Sequence, residues 1–344
     1  MQKQRGTVSV IVAFFLPVML GIASLAIDLS YLHLVRNELQ NAADAAALAG
    51  AARLRNNSSA SLQWTAAEQT ARQAVTWNTA DGQSLTDGTV QTGYWNPSTH
   101  GAVLQGLPMT PTRNDVPAVQ VQLHKSAGQN NGEVPSFFAR LWGWLSTPLH
   151  VTAVAGLTSP GAIAPGGVFP LVINQCVYNT YWRTEASPPG PLIDPVTHQP
   201  YLLNLMAYDD KPSDPCKTFQ WSSLLTDNND VSTIRDLVNH KNPEALSIGE
   251  KIWIEPGSKN TLYDSVYACS AAAGTSCEYV VLPMVQSIAA HQAMPISGFA
   301  CARIASASRK DRTISIQLNT PCPQVPSSGI GPDFGVVSPP SLLH

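Results

Sequence analysis

The first pattern along the chain is an uncharged apolar run, GTVSVIVAFFLPVMLGIASLAI, which covers residues 6–27. At about 1.5 Å of rise per residue, a helix of this length reaches roughly 33 Å, enough for the hydrocarbon core of a bilayer. Lys3 and Arg5 precede the run, and the first acidic residue, Asp28, follows it. Because positively charged flanks stay in the cytoplasm, the pattern predicts one membrane span with a cytoplasmic N-terminus and the rest of the chain outside.

A cleavable signal peptide is the alternative explanation of the same run. The basic start fits, Pro17 and Gly21 can interrupt a helix, and Ala26 ends a small-residue cleavage motif. The run is longer than a usual signal core, however, and apolar or small residues continue at helical steps from Leu25 to Gly50. The sequence therefore predicts one long helix that leaves the membrane.

Beyond the span, this helix carries two ridges of small residues spaced by four. The ridge residues are Ala42, Ala46 and Gly50, and Ala43, Ala47 and Ala51. Such ridges let helix backbones approach closely, so the segment is predicted to pack against other helices. A neighbouring polar stripe of Asn37, Asn41 and Asp44 is predicted to set the register of that packing. An alanine-rich helix that is simply stable in isolation is the plainer alternative.

The middle of the chain predicts a small α+β domain. An amphipathic helix is expected over residues 62–77 with Ser61 as its N-cap, followed by a change to alternating patterns. SFFARLWGWL, residues 136–145, is predicted as a packed helical turn. Trp142 and Trp144 are expected in a core or interface, with an exposed binding patch as the alternative. The predicted strands are TVQTGYW, PAVQVQLH and LHVTAVAGL.

A turn-rich linker, SPGAIAPGGVFP, separates this domain from a β-rich second half. One helix is predicted there, in residues 227–240, with Asp230 or Ser232 as its N-cap. The overall fold class is α+β. The predicted divisions are 1–55 (membrane anchor and long helix), 56–158 (α+β domain) and 159–344 (β-rich disulfide-bonded domain).

All cysteines lie in the second half of the chain. They are Cys176, Cys216, Cys269, Cys277, Cys301 and Cys322. An even number without a Cys-x-x-Cys pair indicates disulfides in an oxidising compartment, with buried free thiols as the alternative. Six cysteines allow fifteen pairings, and proximity favours Cys269 with Cys277 and Cys301 with Cys322, which leaves Cys176 with Cys216.

Charge and motifs argue against several other functions. A net charge of -3 argues against nucleic acid as a partner. No His-Glu-x-x-His, phosphate-binding loop or Gly-x-Ser-x-Gly motif occurs in the sequence, so we expect no enzyme activity, cofactor or zinc. Acidic stretches at 209–214 and 227–230 are expected to be solvated turns and helix caps rather than calcium sites. Asp28 is expected to be an interfacial or helix-packing acid.

Residues 6–51 closely resemble the N-terminal module of Tad (Flp) pilus-assembly proteins of the TadE/TadG type. The resemblance covers the apolar span, IDLSYLHLVRNELQ and NAADAAALAGA, and the segments GYWNP and PSFFARLWG resemble the domain that commonly follows. It implies a minor pilin or pseudopilin-like component of the bacterial tight-adherence pilus, anchored in the inner membrane with an extracytoplasmic or pilus-exposed head. The implied partners are other Tad pilins or pseudopilins and the inner-membrane assembly platform.

One departure bears on processing. TadE-type members resemble prepilins, with a Gly before the cleavage site and a Glu five residues later, whereas here Gly6 is followed at that distance by Ile11. Possible cleavage by a prepilin-type peptidase at Gly6 is therefore one alternative. An uncleaved anchor like that of TadG-type proteins is the better match to this sequence. The Asp-x-Ser-x-Ser signature of a von Willebrand factor A domain is missing from the sequence. An adhesin role for the C-terminal domain is the alternative function, followed by a divergent envelope hydrolase.

Overall fold

A computed structural model describes most of the chain. The described residues are 7–55, 62–99, 101–112, 114–183, 190–208, 214–228, 230–257, 259–275, 277–318, 322 and 325–343. The first element is α1 (Thr7–Ala51), one α-helix of 45 residues that includes Pro17. The prediction of one long helix that continues past the apolar run is confirmed.

Short strands, one further α-helix and a 3-10 helix follow α1. They are α2 (Trp64–Thr76), β1 (Thr79–Ala80), β2 (Gln83–Ser84), β3 (Thr89–Trp95), β4 (Gln105–Gly106), β5 (Val116–Lys125), β6 (Val134–Pro135), η1 (Ala139–Trp142), β7 (Ser146–Thr147) and β8 (Leu149–Gly156). The predicted second helix and the three predicted strands correspond to α2, β3, β5 and β8.

The second half of the chain is richer in strands. Its elements are β9 (Ala162–Ile163), β10 (Leu171–Asn174), α3 (Gln175–Tyr181), β11 (Trp182–Arg183), β12 (Gly190–Pro191), β13 (Leu203–Ala207), η2 (Pro215–Lys217), β14 (Thr218–Leu224), α4 (Val231–His240), β15 (Leu246–Ser247), β16 (Lys251–Ile254), α5 (Leu262–Ala268), η3 (Ala271–Ala273), β17 (Tyr279–Val285), β18 (Gln292–Ser308), β19 (Thr313–Leu318), β20 (Ser327–Ser328) and β21 (Ser341–Leu342).

The N-terminal unit is a five-stranded sheet covered by the second half of α1 and by α2. The strand order is β21-β8-β5-β3-β4, with every neighbour antiparallel. Alternation in β5 turns Val119, Val121 and Leu123 towards the helices, and all three are completely buried. These side chains and the alanines of α1 and α2 form one hydrophobic core.

The predicted division at residue 55 does not separate two cores. Leu39 and Ala47 of α1 belong to the same buried cluster as the sheet that follows. The C-terminal strand β21 also returns to this sheet, where Leu342 pairs with Ala155 of β8. The anchor helix, the α+β domain and the last residues of the chain thus form one packed unit. The division at residue 158 falls just after β8.

The C-terminal unit contains a ring of strands. Strands β10, β17, β18, β16, β14, β13 and β19 follow one another in one sheet, and two additional pairings, β10 with β14 and β18 with β19, close six of them into a ring. Aromatic side chains such as Phe219 and Trp221 fill its core, together with Tyr263 from α5. Closure satisfies strand edges that would otherwise be exposed.

The helices of this unit include one predicted and two unpredicted elements. Asp230 is the N-cap of α4, as expected. In this β-rich half, strand β10 ends at Asn174 and a helix follows it directly. The Asn174 side chain accepts a hydrogen bond from the N–H of Cys176 (3.0 Å), which begins α3. A cap of this kind competes with strand continuation.

Three disulfides connect the six cysteines of the C-terminal unit. The pairs are Cys176–Cys216, Cys269–Cys277 and Cys301–Cys322, with Cα–Cα distances of 5.2, 5.1 and 5.6 Å. The pairing favoured by sequence proximity is therefore confirmed. Each bridge closes a loop between neighbouring elements, which lowers the entropy of the unfolded chain.

Candidate functional site at the junction of helix and head

The two halves of α1 have opposite environments. Apolar side chains between Ile11 and Ile27 face outwards, with Phe14 75% exposed and Leu20 61% exposed. From Val35 onwards, one face of the helix is buried in the head. Across the described residues, α1 is the one helix long and apolar enough to cross a membrane. The site of interest is the junction between these halves.

The two small-residue ridges are used within this chain. Their six residues are all buried, and α1 packs there against α2, β5 and β8. At Gly50 the approach is closest, because a Cβ atom would lie 2.9 Å from Cβ of Ala71 and 3.0 Å from the carbonyl oxygen of Ala67. The ridges therefore pack within this chain, against α2 and the sheet, and packing against helices of other pilins stays a prediction. A helix of another protein can reach these ridges only if the head releases α1.

The predicted polar stripe lies beside the buried ridges. Asn37 and Asn41 are exposed, whereas Asp44 is half-buried. Gln40 donates a hydrogen bond to Asp44 (Nε2 to Oδ1, 2.8 Å) and another to the carbonyl oxygen of Thr152 (3.3 Å). One edge of the stripe therefore holds α1 to β8. A role for Asn37 and Asn41 in setting register with another helix stays a prediction.

A buried polar network, which we call the junction network, ties α1 to the head. Lys125 forms an ion pair with Asp81 (Nζ to Oδ2, 3.2 Å), and only 1% of the lysine side chain is exposed. Tyr31 donates a hydrogen bond to the same carboxylate. Glu38 accepts a hydrogen bond from the Asp81 N–H (2.8 Å). No motif in the sequence predicts this network, although Lys125 continues the inward-facing positions of β5 and is the signal that points to it.

Asp28 makes the second connection between α1 and the head. Its carboxylate accepts backbone hydrogen bonds from the N–H groups of Phe137 (2.9 Å), Phe138 (3.1 Å) and Ala139 (2.7 Å). The rings of Tyr31 and Phe137 meet edge-on, with centroids 5.0 Å apart. Asp28 therefore acts as an N-terminal cap for η1 from a distant part of the chain, consistent with a packing role at the end of the apolar run.

The segment held by Asp28 is the aromatic loop, residues 136–145. The prediction of a packed helical turn is wrong in part. A 3-10 turn forms, but Trp142 is 67% and Trp144 70% exposed. The loop is short and anchored through its backbone, so its large side chains project away from the head.

The acidic stretches do not form a metal centre among the described residues. No group of three or more His, Cys, Asp or Glu side chains is placed there to hold a metal ion. Hydrogen bonds from the Ser232 hydroxyl and from Thr233 keep the pKa of Asp230 below its usual value. This carboxylate caps α4. Most of the stretch 209–214, and the predicted processing residue Gly6, lie outside the described residues.

Together, these features define a class of protein with one exposed, apolar N-terminal helix whose second half is built into a folded α+β head. Comparison with known families gives a more specific result. Residues 6–53 match the Flp pilus-assembly TadE/G-like family, and residues 49–155 match the Tad-like Flp pilus-assembly family Tad_C. No curated protein and no solved structure matches the chain.

The two matches together cover residues 6–155, and over this stretch the chain is similar to Tad-type Flp pilus-assembly proteins. The two matched modules meet at residues 49–53, the end of α1. In the structure they share one hydrophobic core. The family's two sequence modules are therefore one structural unit in this chain.

Proposed function

We propose that this protein is a membrane-anchored structural component of the Tad pilus apparatus, of the minor pilin or pseudopilin type. In this proposal α1 crosses the inner membrane, with the N-terminus in the cytoplasm and the head in the periplasm or on the pilus. Other Tad pilins or pseudopilins and the assembly platform are its partners. Its role is structural and not enzymatic.

The observation that carries the proposal is the division of α1 into an exposed apolar half and a half buried in the head. The exposed side chains from Ile11 to Ile27 would be unfavourable in water, and a bilayer offers them an apolar solvent. Lys3 and Arg5 before this half support a cytoplasmic N-terminus. The three disulfides support an oxidising compartment for the C-terminal unit.

We further propose that a prepilin peptidase does not cleave the chain after Gly6, so that residues 1–6 stay attached to the anchor helix. Ile11 stands where TadE-type members, by their resemblance to prepilins, carry a Glu. Asp28 and Tyr31 fasten the end of the apolar run to the head, so the anchor and the head are rigidly joined. A protein built in this way holds its head close to the membrane surface.

The test is mass spectrometry of the most N-terminal peptide in two cell fractions, sheared surface filaments and inner membranes. We expect the intact N-terminus in the inner-membrane fraction. A protein found only in filaments and beginning at Thr7 would contradict the uncleaved N-terminus and would instead indicate a processed minor pilin. Recovery of the whole chain in a soluble fraction would contradict membrane anchoring itself.

A further inference from the structure

The aromatic loop concentrates exposed apolar surface at one place on the head. Six of its ten residues are large, apolar and exposed by 38–77%: Phe137, Phe138, Leu141, Trp142, Trp144 and Leu145. Exposed apolar residues scattered singly are normal on proteins, but a contiguous patch marks a surface that meets something apolar. The question is what covers this patch.

The loop is held in a defined conformation that keeps these side chains outside. Its base is the pairing of β6 with β7, extended by a hydrogen bond from the N–H of Ser136 to the carbonyl oxygen of Leu145 (3.0 Å). Gly143 ends η1 with a φ of 90°, which turns the chain between the two tryptophans. Asp28 binds the backbone at the other side of the turn. The apolar tip is therefore a built feature of the fold.

The position of the loop along α1 is informative. Two apolar grooves separate the loop from the helix, one of about 540 Å³ beside Leu25 and Trp144 and one of about 370 Å³ beside Leu20 and Leu141. Trp142 lines both grooves. Their helix walls begin at Pro17 and end at Asp28.

This stretch is the last part of the apolar run before the helix enters the head. The twelve residues of helix from Pro17 to Asp28 rise by about 16 Å along the axis, roughly the depth from a bilayer surface to its centre. The surface of the loop is continuous with the exposed apolar surface of α1. The loop and the apolar half of α1 are therefore exposed to the same surroundings, water or lipid.

We infer that the aromatic loop is a second membrane-binding element, which inserts into the outer face of the lipid bilayer beside α1. This inference rests on the proposed membrane anchoring of α1. Tryptophan is the residue type enriched where a bilayer meets water, and the two grooves suit lipid acyl chains. Arg140 is the one charged residue of the loop and is exposed. Its Nε donates a hydrogen bond to the carbonyl oxygen of Ser136 (2.8 Å), and the rest of its guanidinium group can bind a lipid phosphate.

Insertion of the loop would limit the motion of the head. A single helix that crosses a bilayer leaves the attached head free to tilt and rotate. A second contact beside it fixes one face of the head towards the lipid. Because Asp28 links both elements, α1 and the loop would enter the bilayer as one unit.

The test uses the full-length protein in phosphatidylcholine–phosphatidylglycerol vesicles and measures quenching of tryptophan fluorescence by brominated lipids. Trp142 and Trp144 are two of the eight tryptophans, and none lies in the apolar run. We expect brominated lipid to quench the wild-type protein, and the variant Trp142→Phe/Trp144→Phe to lose that quenched emission. Trp77→Phe is the matched control, since Trp77 is 67% exposed at the end of α2 and its removal should leave the quenching unchanged.

The outcomes separate this inference from the proposed function. Resistance of vesicle binding to carbonate extraction reports on α1, and circular dichroism with thermal unfolding verifies that each variant is folded. Carbonate-resistant binding without quenching would overturn the inserted loop, leave the anchor intact, and point to a protein partner for the patch. Loss of carbonate-resistant binding in the wild-type protein would overturn both. Equal quenching of the double variant and wild type would also overturn the inserted loop.

Discussion

At the scale of single residues, Asp28 shows how one side chain can connect distant parts of the chain. It accepts three backbone N–H groups at the start of η1, about 110 positions away in sequence. The N–H groups at the start of a helix have no partner within the helix, and a carboxylate satisfies them with charge-assisted hydrogen bonds. The aromatic loop therefore depends on a residue of α1 for its order.

The first prediction concerns this cap. Replacing Asp28 by Ala removes the acceptor, and we expect the aromatic loop to lose about 1–2 kcal/mol of local stability. Hydrogen exchange of the amides of Phe137 to Ala139 measures the effect. Ser30→Ala is the control, because the Ser30 hydroxyl bonds only to the Ala26 carbonyl oxygen on the same helix. Unchanged protection in Asp28→Ala would show that the cap does not order the loop.

Lys125 is the second residue whose role is set by a distant partner. Its ammonium group is enclosed in the head and neutralised by Asp81, which also binds Tyr31 of α1. Removing one partner of a buried ion pair leaves the other charge without compensation, whereas an exposed pair contributes little. The two kinds of pair occur in the same unit of this protein.

The second prediction compares these two pairs. We expect Lys125→Met to lower the free energy of unfolding by about 3–5 kcal/mol. Glu68→Gln breaks the exposed i,i+4 pair with Arg72, in which the arginine side chain is 50% exposed, and should cost less than about 1 kcal/mol. Denaturant unfolding in detergent micelles gives both values. Similar losses for the two variants would contradict a structural role for the junction network.

At the scale of elements, α1 changes its function along its length. Its first half has side chains suited to lipid, and its second half is an alanine-rich strip that α2 and the sheet approach closely. Small residues allow this approach because the backbones can come together without side-chain overlap. Small-residue ridges of this kind can pack helices of different proteins together. In this chain they pack α1 into the head.

The third prediction follows from this close approach. Replacing Gly50 by Leu forces a side chain against Ala67 and Ala71 of α2, and we expect a loss of about 1–3 kcal/mol in the free energy of unfolding. Ala45→Leu is the matched control on the exposed face of α1, five residues before Gly50, and should change stability by less than about 0.5 kcal/mol. Thermal unfolding measures both. A stable head in Gly50→Leu would mean that the ridge is open to other helices.

At the scale of the whole molecule, the chain consists of two units held together in different ways. The N-terminal unit relies on helix packing and on β21, which brings the end of the chain back to β8. The C-terminal unit relies on its ring of strands and on three disulfides. Reducing conditions should therefore affect the two units unequally.

The fourth prediction concerns the size of the disulfide contributions. Cys176 and Cys216 are 40 positions apart, and loss of this bridge should destabilise the C-terminal unit by about 4 kcal/mol. Cys269 and Cys277 are 8 apart, and the loss should be about 2.5 kcal/mol. Unfolding of the two double Cys→Ala variants tests this order. We expect melting of the N-terminal unit to be unchanged in both double variants. The reverse order of the two losses would mean that loop entropy does not dominate the disulfide contributions.

The sequence by itself determined the local features of this protein. Apolar and small residues at helical steps predicted α1, alternation predicted β3, β5 and β8, and proximity predicted the disulfide pairs. These features are readable because each depends on neighbours in the chain, through hydrogen bonds and side-chain periodicity. The family resemblance came from the same stretches.

The tertiary structure alone decided which surfaces the local features meet. Only the fold shows that α2 covers the alanine ridges, that Lys125 meets Asp81, and that the aromatic loop projects beside α1 instead of packing. An alanine ridge has the same sequence whether its partner is in this chain or another. Burial and ion pairing are properties of residues brought together over tens of positions, and no local pattern specifies that meeting.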